Sequence, residues 1–277
     1  MPSNSDLKAK VKEHWEQEAC GTRYADGLDR QRYFDEISTA RYRLEPYIPA
    51  FADFPSAAGK AILEIGVGAG ADFENWCQHA QLAEGIDLTD AAVALTRERL
   101  INRHVDPSRF GLQVSDAEKL PFSDDQFDIV YSWGVLHHTP DTRTAFREAY
   151  RVLKPGGELR CMIYHVRSWT GWMLAAHRAA KMRSIKSFSP RLAMFESLES
   201  PGTKAYTIAE AKELVKQAGY SQVRTDTKLG PGDLLTIRPS ARYASRRFSL
   251  LWKLYPRPIV RALGDRFGLN LLIIARK

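Results

Sequence analysis

Short apolar runs alternate along the chain with segments of helical length, and this alternation predicts an α/β fold. The plainest run is Ala61-Ile62-Leu63-Glu64-Ile65, apolar enough for a strand covered on both faces. It breaks into Gly66-Val67-Gly68-Ala69-Gly70, and residues 71–80 then have helical length and no proline. Further strands are expected over 82–87, 110–114, 127–134, 158–165, 221–228 and 269–275, with helices over 90–103, 141–153 and 207–219. The helix over 141–153 puts Phe146, Ala149, Tyr150 and Leu153 on one face, and Lys154-Pro155-Gly156-Gly157 is expected to stop it and turn the chain. Asp90 is the expected cap of the helix it opens, and Thr207 with Glu210 three residues on has the form of a capping box. Ahead of the first strand, Leu7, Val11 and Trp15 lie four apart in a predicted helix over 6–19, which Gly21 ends. Pro46, Pro49 and Pro55 read as a linker.

Strand, glycine turn and helix open a nucleotide-binding βαβ unit, whose turn and helix N-terminus attract polar and anionic groups. The glycine spacing also fits the dinucleotide pattern G-x-G-x-x-A. Glu64 argues for a different ligand, because a carboxylate at the strand's end faces a cation better than a pyrophosphate. Asp87 closes the second strand, where a carboxylate can accept both ribose hydroxyls of an adenosine. His137 and His138 invite a metal, but adjacent residues point apart on a helix and no third ligand follows at metal spacing, so none is expected. A histidine here could act as a general base near neutral pH.

Glu64-Ile65-Gly66-Val67-Gly68-Ala69-Gly70 resembles the first motif of class I S-adenosylmethionine methyltransferases, and Asp87-Leu88-Thr89 the second. Asp116-Ala117 matches the family position that meets the adenine, and Leu136-His137-His138 with Asp141 resembles the signature of the small-molecule branch, quinone methylation included. The resemblance implies a Rossmann-like sheet of seven strands, mostly parallel with the last antiparallel, helices on both faces and a helical cap. It implies a cofactor site made by Glu64, Gly66, Gly68, Gly70, Asp87, Leu88, Asp116, Ala117, Ser132, Trp133 and His137. The cofactor would be S-adenosylmethionine, with S-adenosylhomocysteine as product and no metal. His137, His138, Tyr164 and His165 are the candidates for a catalytic base. In such proteins an N-terminal helical segment often closes over the cofactor, which makes Trp15, Thr22 and Tyr24 candidates as well. The expected organisation is a cap over 1–55, a cofactor-binding core over 56–165, a substrate-lid insertion over 166–204, and the rest of the core over 205–277 with a basic insertion at 229–268.

Composition adds one feature. The formal net charge of +7 is unevenly spread: residues 1–159 hold 18 basic against 26 acidic side chains, and residues 160–277 hold 22 against 7. This asymmetry suggests an anionic partner, whether an acceptor bearing an anionic group, an acidic carrier protein or a membrane surface. Nucleic acid is not favoured, since no zinc-knuckle or RNP-like motif is present. Cys20, Cys77 and Cys161 are too scattered for a metal or disulfide framework. The absence of a long apolar run or a leader-like start makes the cytoplasm the expected location.

The sequence thus favours methyl transfer to an oxygen or nitrogen, and in third place a carbon, of a small secondary metabolite. Transfer to a lipid or quinone at a membrane surface is the second reading. From other classes, an NAD-binding oxidoreductase would share the glycine turn and Asp87, and a non-catalytic protein could bind S-adenosylmethionine without turning it over.

Overall fold

The computed structural model describes residues 4–17, 22, 25, 29–200, 202–236 and 255–277. Cys20 and Tyr24, and Arg242, Arg246, Arg247, Trp252 and Lys253 of the basic insertion, lie outside the described residues. Seven strands, β1 (Ala61–Ile65), β2 (Leu82–Asp87), β3 (Phe110–Val114), β4 (Phe127–Trp133), β5 (Leu153–Tyr164), β6 (Ser221–Lys228) and β7 (Asn270–Arg276), form one sheet. Their order is β3-β2-β1-β4-β5-β7-β6, with β7 antiparallel to both neighbours and the other six strands parallel. The order reverses between β1 and β4, so a crevice opens at the carboxyl ends of those two strands.

The period-2 alternation of the strands sorts the core. Leu63, Ile65, Val130, Cys161 and Ile163 join one buried cluster, while their neighbours Ile62, Ile129, Tyr131, Met162 and Tyr164 join another. Cys77 and Cys161 are buried free thiols.

The helices before the sheet are α1 (Asn4–Gln17), α2 (Arg30–Leu44) and α3 (Ile48–Ala52). The proline-bearing stretch is packed core rather than the expected linker. Ile48, Ala52, Phe54 and Ala57 are buried there, and the Phe54 ring meets the edge of Trp76 at 4.6 Å between centroids. Pro49 and Pro55 sit in first turns, where a missing N–H costs nothing.

Helices α4 (Ala71–His79), α5 (Asp90–Asn102) and α6 (Thr142–Val152) alternate with the strands. Thr89, not Asp90, caps α5: its hydroxyl accepts from the Ala92 N–H at 3.3 Å, and Asp90 is already inside the helix. The Lys-Pro-Gly-Gly segment also differs from expectation. β5 begins at Leu153 and runs through it, and its register with β4 jumps from Phe127↔Leu153 to Ile129↔Glu158. The extra residues bulge out of the ladder, with Gly156 in the left-handed region.

Helices α7 (Trp169–Lys181) and α8 (Pro190–Ser197) pack against each other as a hairpin beyond β5. α9 (Ile208–Gln217) precedes β6, and α10 (Arg257–Ala262) lies in the second insertion. Asp233 ties the insertions to the core, accepting from the N–H and hydroxyl of Thr170 and from the N–H groups of Gly230 and Leu269. Among the described residues no helix is long and apolar enough to cross a membrane.

The capping box at α9 is complete: the Thr207 hydroxyl accepts from the Glu210 N–H at 3.2 Å, and the Glu210 carboxylate accepts from the Thr207 N–H at 2.7 Å. Thr207→Ala is expected to cost about 1 kcal/mol. Urea denaturation checks this, as a lower midpoint with an unchanged slope.

Candidate active site

A cavity of about 1150 Å³ occupies the crevice between β1 and β4 and continues under α1, α2 and α7. Its floor is the glycine turn. Gly66 and Gly70 have φ of +88° and +75°, and a Cβ at Gly66 would come within 2.1 Å of the Val135 side chain. No other residue fits there without moving the wall. The turn and the first residues of α4 therefore bring bare backbone to the cavity.

Three carboxylates converge on this floor. Glu64 ends β1 and is buried, and its Oε2 has no hydrogen-bond partner. Burial and the neighbouring charges of Asp72 and Asp87 push its pKa well above the usual carboxylate range, while Arg41 pulls it down. Asp87 ends β2, with one oxygen accepting from the Gly68 N–H at 3.1 Å and the other from the Thr89 N–H and hydroxyl. Those bonds fix its orientation. Burial raises its pKa, and the hydrogen bonds oppose that shift. Asp72, in the first turn of α4, is clamped by the Arg41 guanidinium and accepts from Tyr131 at 2.8 Å and Tyr42 at 3.1 Å.

Beyond Asp87, Leu88, Asp116 and Ala117 line the wall. Lys8 of α1 reaches across to Asp116 at 2.5 Å and Glu118 at 2.6 Å. This lysine, which the sequence suggests is ordinary surface charge, holds α1 down over the cavity. Val11 and Trp15 of the same helix also line it.

At the other end the lining is mostly apolar, built from Met162, Met173, Leu174, Ala176, Leu198 and Leu235. Glu45 accepts there from Trp133 Nε1 at 3.2 Å and from the Asn270 amide at 2.5 Å, and the same amide also donates to the Tyr47 hydroxyl. Where the two ends meet stand Tyr164, His138 and Glu199. Tyr164 donates to Glu199 Oε2 at 2.8 Å, and that oxygen is 3.4 Å from His138 Nε2. The Thr203 hydroxyl donates to the Ser200 carbonyl at 2.7 Å, so toward His138 Nδ1, 3.1 Å away, it can only accept. The Ser200 hydroxyl lies 2.8 Å from the same nitrogen, and Nε2 is buried beside the Glu199 carboxylate.

The structure thus brings together Glu64, Gly66, Gly68, Gly70, Asp87, Leu88, Asp116, Ala117, Trp133, His138 and Tyr164 around one space. Three expected residues do not line it. Ser132 is buried and donates to the Ile65 carbonyl at 3.0 Å, tying β4 to β1. His165 is buried with Nδ1 3.2 Å from the Gly268 carbonyl. His137 is fully buried, neither ring nitrogen has a hydrogen-bond partner, and burial beside His138 and Lys204 drives its pKa well below the usual histidine value. The two histidines do not point apart as expected, because Leu136–His138 is a 3-10 turn in which the rings lie 4.3 Å apart at 39°. His137 is therefore packing for His138 and Tyr164. Arg41, Glu45, Asp72 and Glu199 were not singled out from the sequence, and only the arginines and aromatics of residues 22–47 hinted at the first two.

Residues 63–161 match a family model described as a methyltransferase domain. A phosphoethanolamine N-methyltransferase 2 of Caenorhabditis elegans is 35% identical over 118 residues, which are 42% of this chain and 26% of that protein. A demethylmenaquinone methyltransferase of Listeria monocytogenes is 30% identical over 145 residues, which are 50% of this chain and 60% of that protein. The chain covers less than two thirds of the length of either curated relative. An S-adenosylmethionine-dependent methyltransferase of Mesorhizobium loti has the same fold, with a TM-score of 0.55 at 20% identity over 83% of this chain and 97% of that one.

The raised pKa of Glu64 has a measurable consequence. At pH values between the ordinary glutamate range and its raised value, the free protein holds Glu64 protonated. A cation placed against it favours the ionised form, so binding releases a proton and tightens as pH rises through that window. Calorimetric titration with S-adenosylmethionine in buffers of different ionisation enthalpy is expected to show this release in the parent protein and not in Glu64→Gln. Equal release by both would remove Glu64 from contact with the cation.

Proposed function

We propose that this chain is a class I S-adenosylmethionine-dependent methyltransferase and that it methylates an oxygen or nitrogen of a bulky, largely apolar small molecule. The observation that carries the proposal is one cavity with two unlike ends. Glycine backbone and carboxylates line one end, an apolar chamber forms the other, and His138 is part of the lining together with Tyr164 and Glu199.

The residues present fit the cofactor. An unpartnered buried carboxylate at Glu64 suits a cation, the glycine turn suits close backbone approach, and the oriented Asp87 suits a ribose diol. When bound, S-adenosylmethionine supplies a methyl group on a positively charged sulfur and leaves as neutral S-adenosylhomocysteine. Asp116 and Ala117 would border the adenine, with Lys8 closing α1 over that end.

Acceptor activation falls to His138. Its imidazole would take the proton of an acceptor hydroxyl as the new bond forms, or of an acceptor ammonium before its nitrogen attacks. The imidazolium then sits 3.4 Å from the Glu199 carboxylate, which stabilises it, while Tyr164 holds that carboxylate in place. Water exclusion is provided by α1, α2 and the α7–α8 hairpin, which roof the cavity.

The volume supports a large acceptor. Single ligand sites are typically about 300–1000 Å³, and a cavity of 1150 Å³ leaves room beside the cofactor. Among the described residues, the cations of the lid insertion stand away from the chamber. Arg167, Arg178, Lys181, Arg183, Lys186 and Arg191 do not line the cavity, and Arg178 and Arg191 are paired with Glu196 and Glu210.

Asp87→Ala is expected to weaken S-adenosylmethionine binding by roughly 10- to 100-fold, the loss of hydrogen bonds to a charged group. Calorimetry reads it directly, and unchanged binding would refute the assignment of this end. His138→Ala is expected to lower kcat by about 10²-fold or more, with cofactor affinity unchanged. Steady-state assays with apolar phenols and amines as acceptors, scored by S-adenosylhomocysteine release, test it. A variant as fast as the parent would place the proton elsewhere.

A further inference from the structure

Residues 159–195 contain seven lysines and arginines and no aspartate or glutamate. The stretch carries β5 out of the core and builds the α7–α8 hairpin. Its tryptophans are not the exposed part: Trp169 and Trp172 pack on Phe267 with ring centroids 6.1 and 5.1 Å apart. The exposed apolar groups lie at the far tip. Met182 is 55% exposed, Ile185 81%, Phe188 43%, Leu192 40% and Phe195 41%. Leu192 and Phe195, three apart on α8, face away from the buried Ala193 and Met194. Five large apolar side chains turned to solvent on one hairpin form a patch that a soluble surface rarely carries without a partner.

Its charge selects the partner. Lys181, Arg183 and Lys186 alternate with Met182 and Ile185, are themselves exposed, and make no ion pair among the described residues. Apolar groups interleaved with unpaired cations, the one acid of α8, Glu196, being taken up by Arg178, suit an interface whose head groups are negative and whose interior is hydrocarbon. The tip also adjoins the acceptor chamber. Met173, Ala176, His177 and Ala180 of α7 line the cavity, and Lys181 and Met182 follow directly.

We propose that the tip of the α7–α8 hairpin, residues 181–195, docks on an anionic phospholipid surface, which places the mouth of the acceptor chamber at the bilayer. Ile185, Phe188, Leu192 and Phe195 enter the acyl boundary, and Lys181, Arg183 and Lys186 meet the phosphates. An apolar acceptor would then reach the chamber from the lipid without crossing water.

Co-sedimentation of the full chain with phosphatidylcholine vesicles, with and without phosphatidylglycerol, tests this. Binding is expected to the anionic vesicles at low salt, and to weaken as salt rises. Each basic residue near such a surface is worth roughly a fivefold gain in partition, so Lys181→Gln, Arg183→Gln and Lys186→Gln together are expected to lose on the order of 10²-fold. Ile185→Ser with Phe188→Ser is expected to abolish the salt-resistant part. Calorimetry with S-adenosylmethionine runs in parallel on every variant; these five residues lie outside the cavity, so unchanged cofactor binding shows that the fold and the methyltransferase reading are intact. No sedimentation with anionic vesicles at low salt, or equal binding by parent and triple variant, overturns the proposal. So does a monomer-to-dimer shift that the Ile185 and Phe188 changes remove without any lipid binding, which would assign the face to a second copy of the chain.

Discussion

The clamp of Arg41 on Asp72 is the interaction on which the rest of the site depends. Glu64, Asp72 and Asp87 come together because β1, α4 and β2 meet at the crevice, and like charges brought out of water repel and are poorly solvated. Arg41 answers that cost at one of them. It comes from α2, so the cation that makes the acidic floor tolerable also fastens the N-terminal segment to the core. The Tyr131 and Tyr42 hydroxyls complete the shell around Asp72. Glu64 is left without a hydrogen-bond partner on Oε2, a deficit that a bound cation would answer. A core in which every carboxylate was satisfied would have no reason to bind one.

The same economy explains the far end. Glu45, four residues beyond Arg41, lies 3.9 Å from that guanidinium and accepts from Trp133 and Asn270. One helix end thereby fixes a β4 side chain and a β7 side chain at once. The apolar end of the cavity is tied to the sheet at that wall, whereas its opposite wall belongs to α7 and the segment after α8. Specificity can vary there without disturbing the floor.

The sheet was legible because buried parallel strands declare themselves as short apolar runs, and the glycine turn because only glycine fits its backbone. Thr89, Asp90 and the bulge in β5 were misread for local reasons. A cap is decided by one residue of register, and a Lys-Pro-Gly-Gly segment serves as well for a bulge as for a turn. Arg41, Glu199 and the role of Lys8 were not legible, since each meets partners far away in the chain: Lys8 with Asp116, Arg41 with Asp72, Glu199 with His138 and Tyr164. Sequence spacing carries no record of such pairs. The paired histidines show the limit from the other side. The motif fixes where they lie, yet the 3-10 turn decides that His138 faces the cavity and His137 the core.

Burial alone accounts for that division of labour between the two rings. A neutral imidazole with no hydrogen-bond partner, as His137 is, packs like a flat apolar group against Tyr164, whose centroid is 4.2 Å away, and against His138. It cannot accept a proton cheaply, because the charge would have no water and no counter-ion. His138, next in the chain, has the Thr203 and Ser200 hydroxyls beside its Nδ1, the edge of Trp15 at 5.6 Å, and a carboxylate within reach of its other nitrogen. Because Trp15 comes from α1 and Glu199 from the segment that follows α8, both roofing elements must be seated before His138 acquires its full surroundings. The surroundings of His138 thus depend on elements outside the sheet, whereas the carboxylate floor is built almost wholly by the strands and α4.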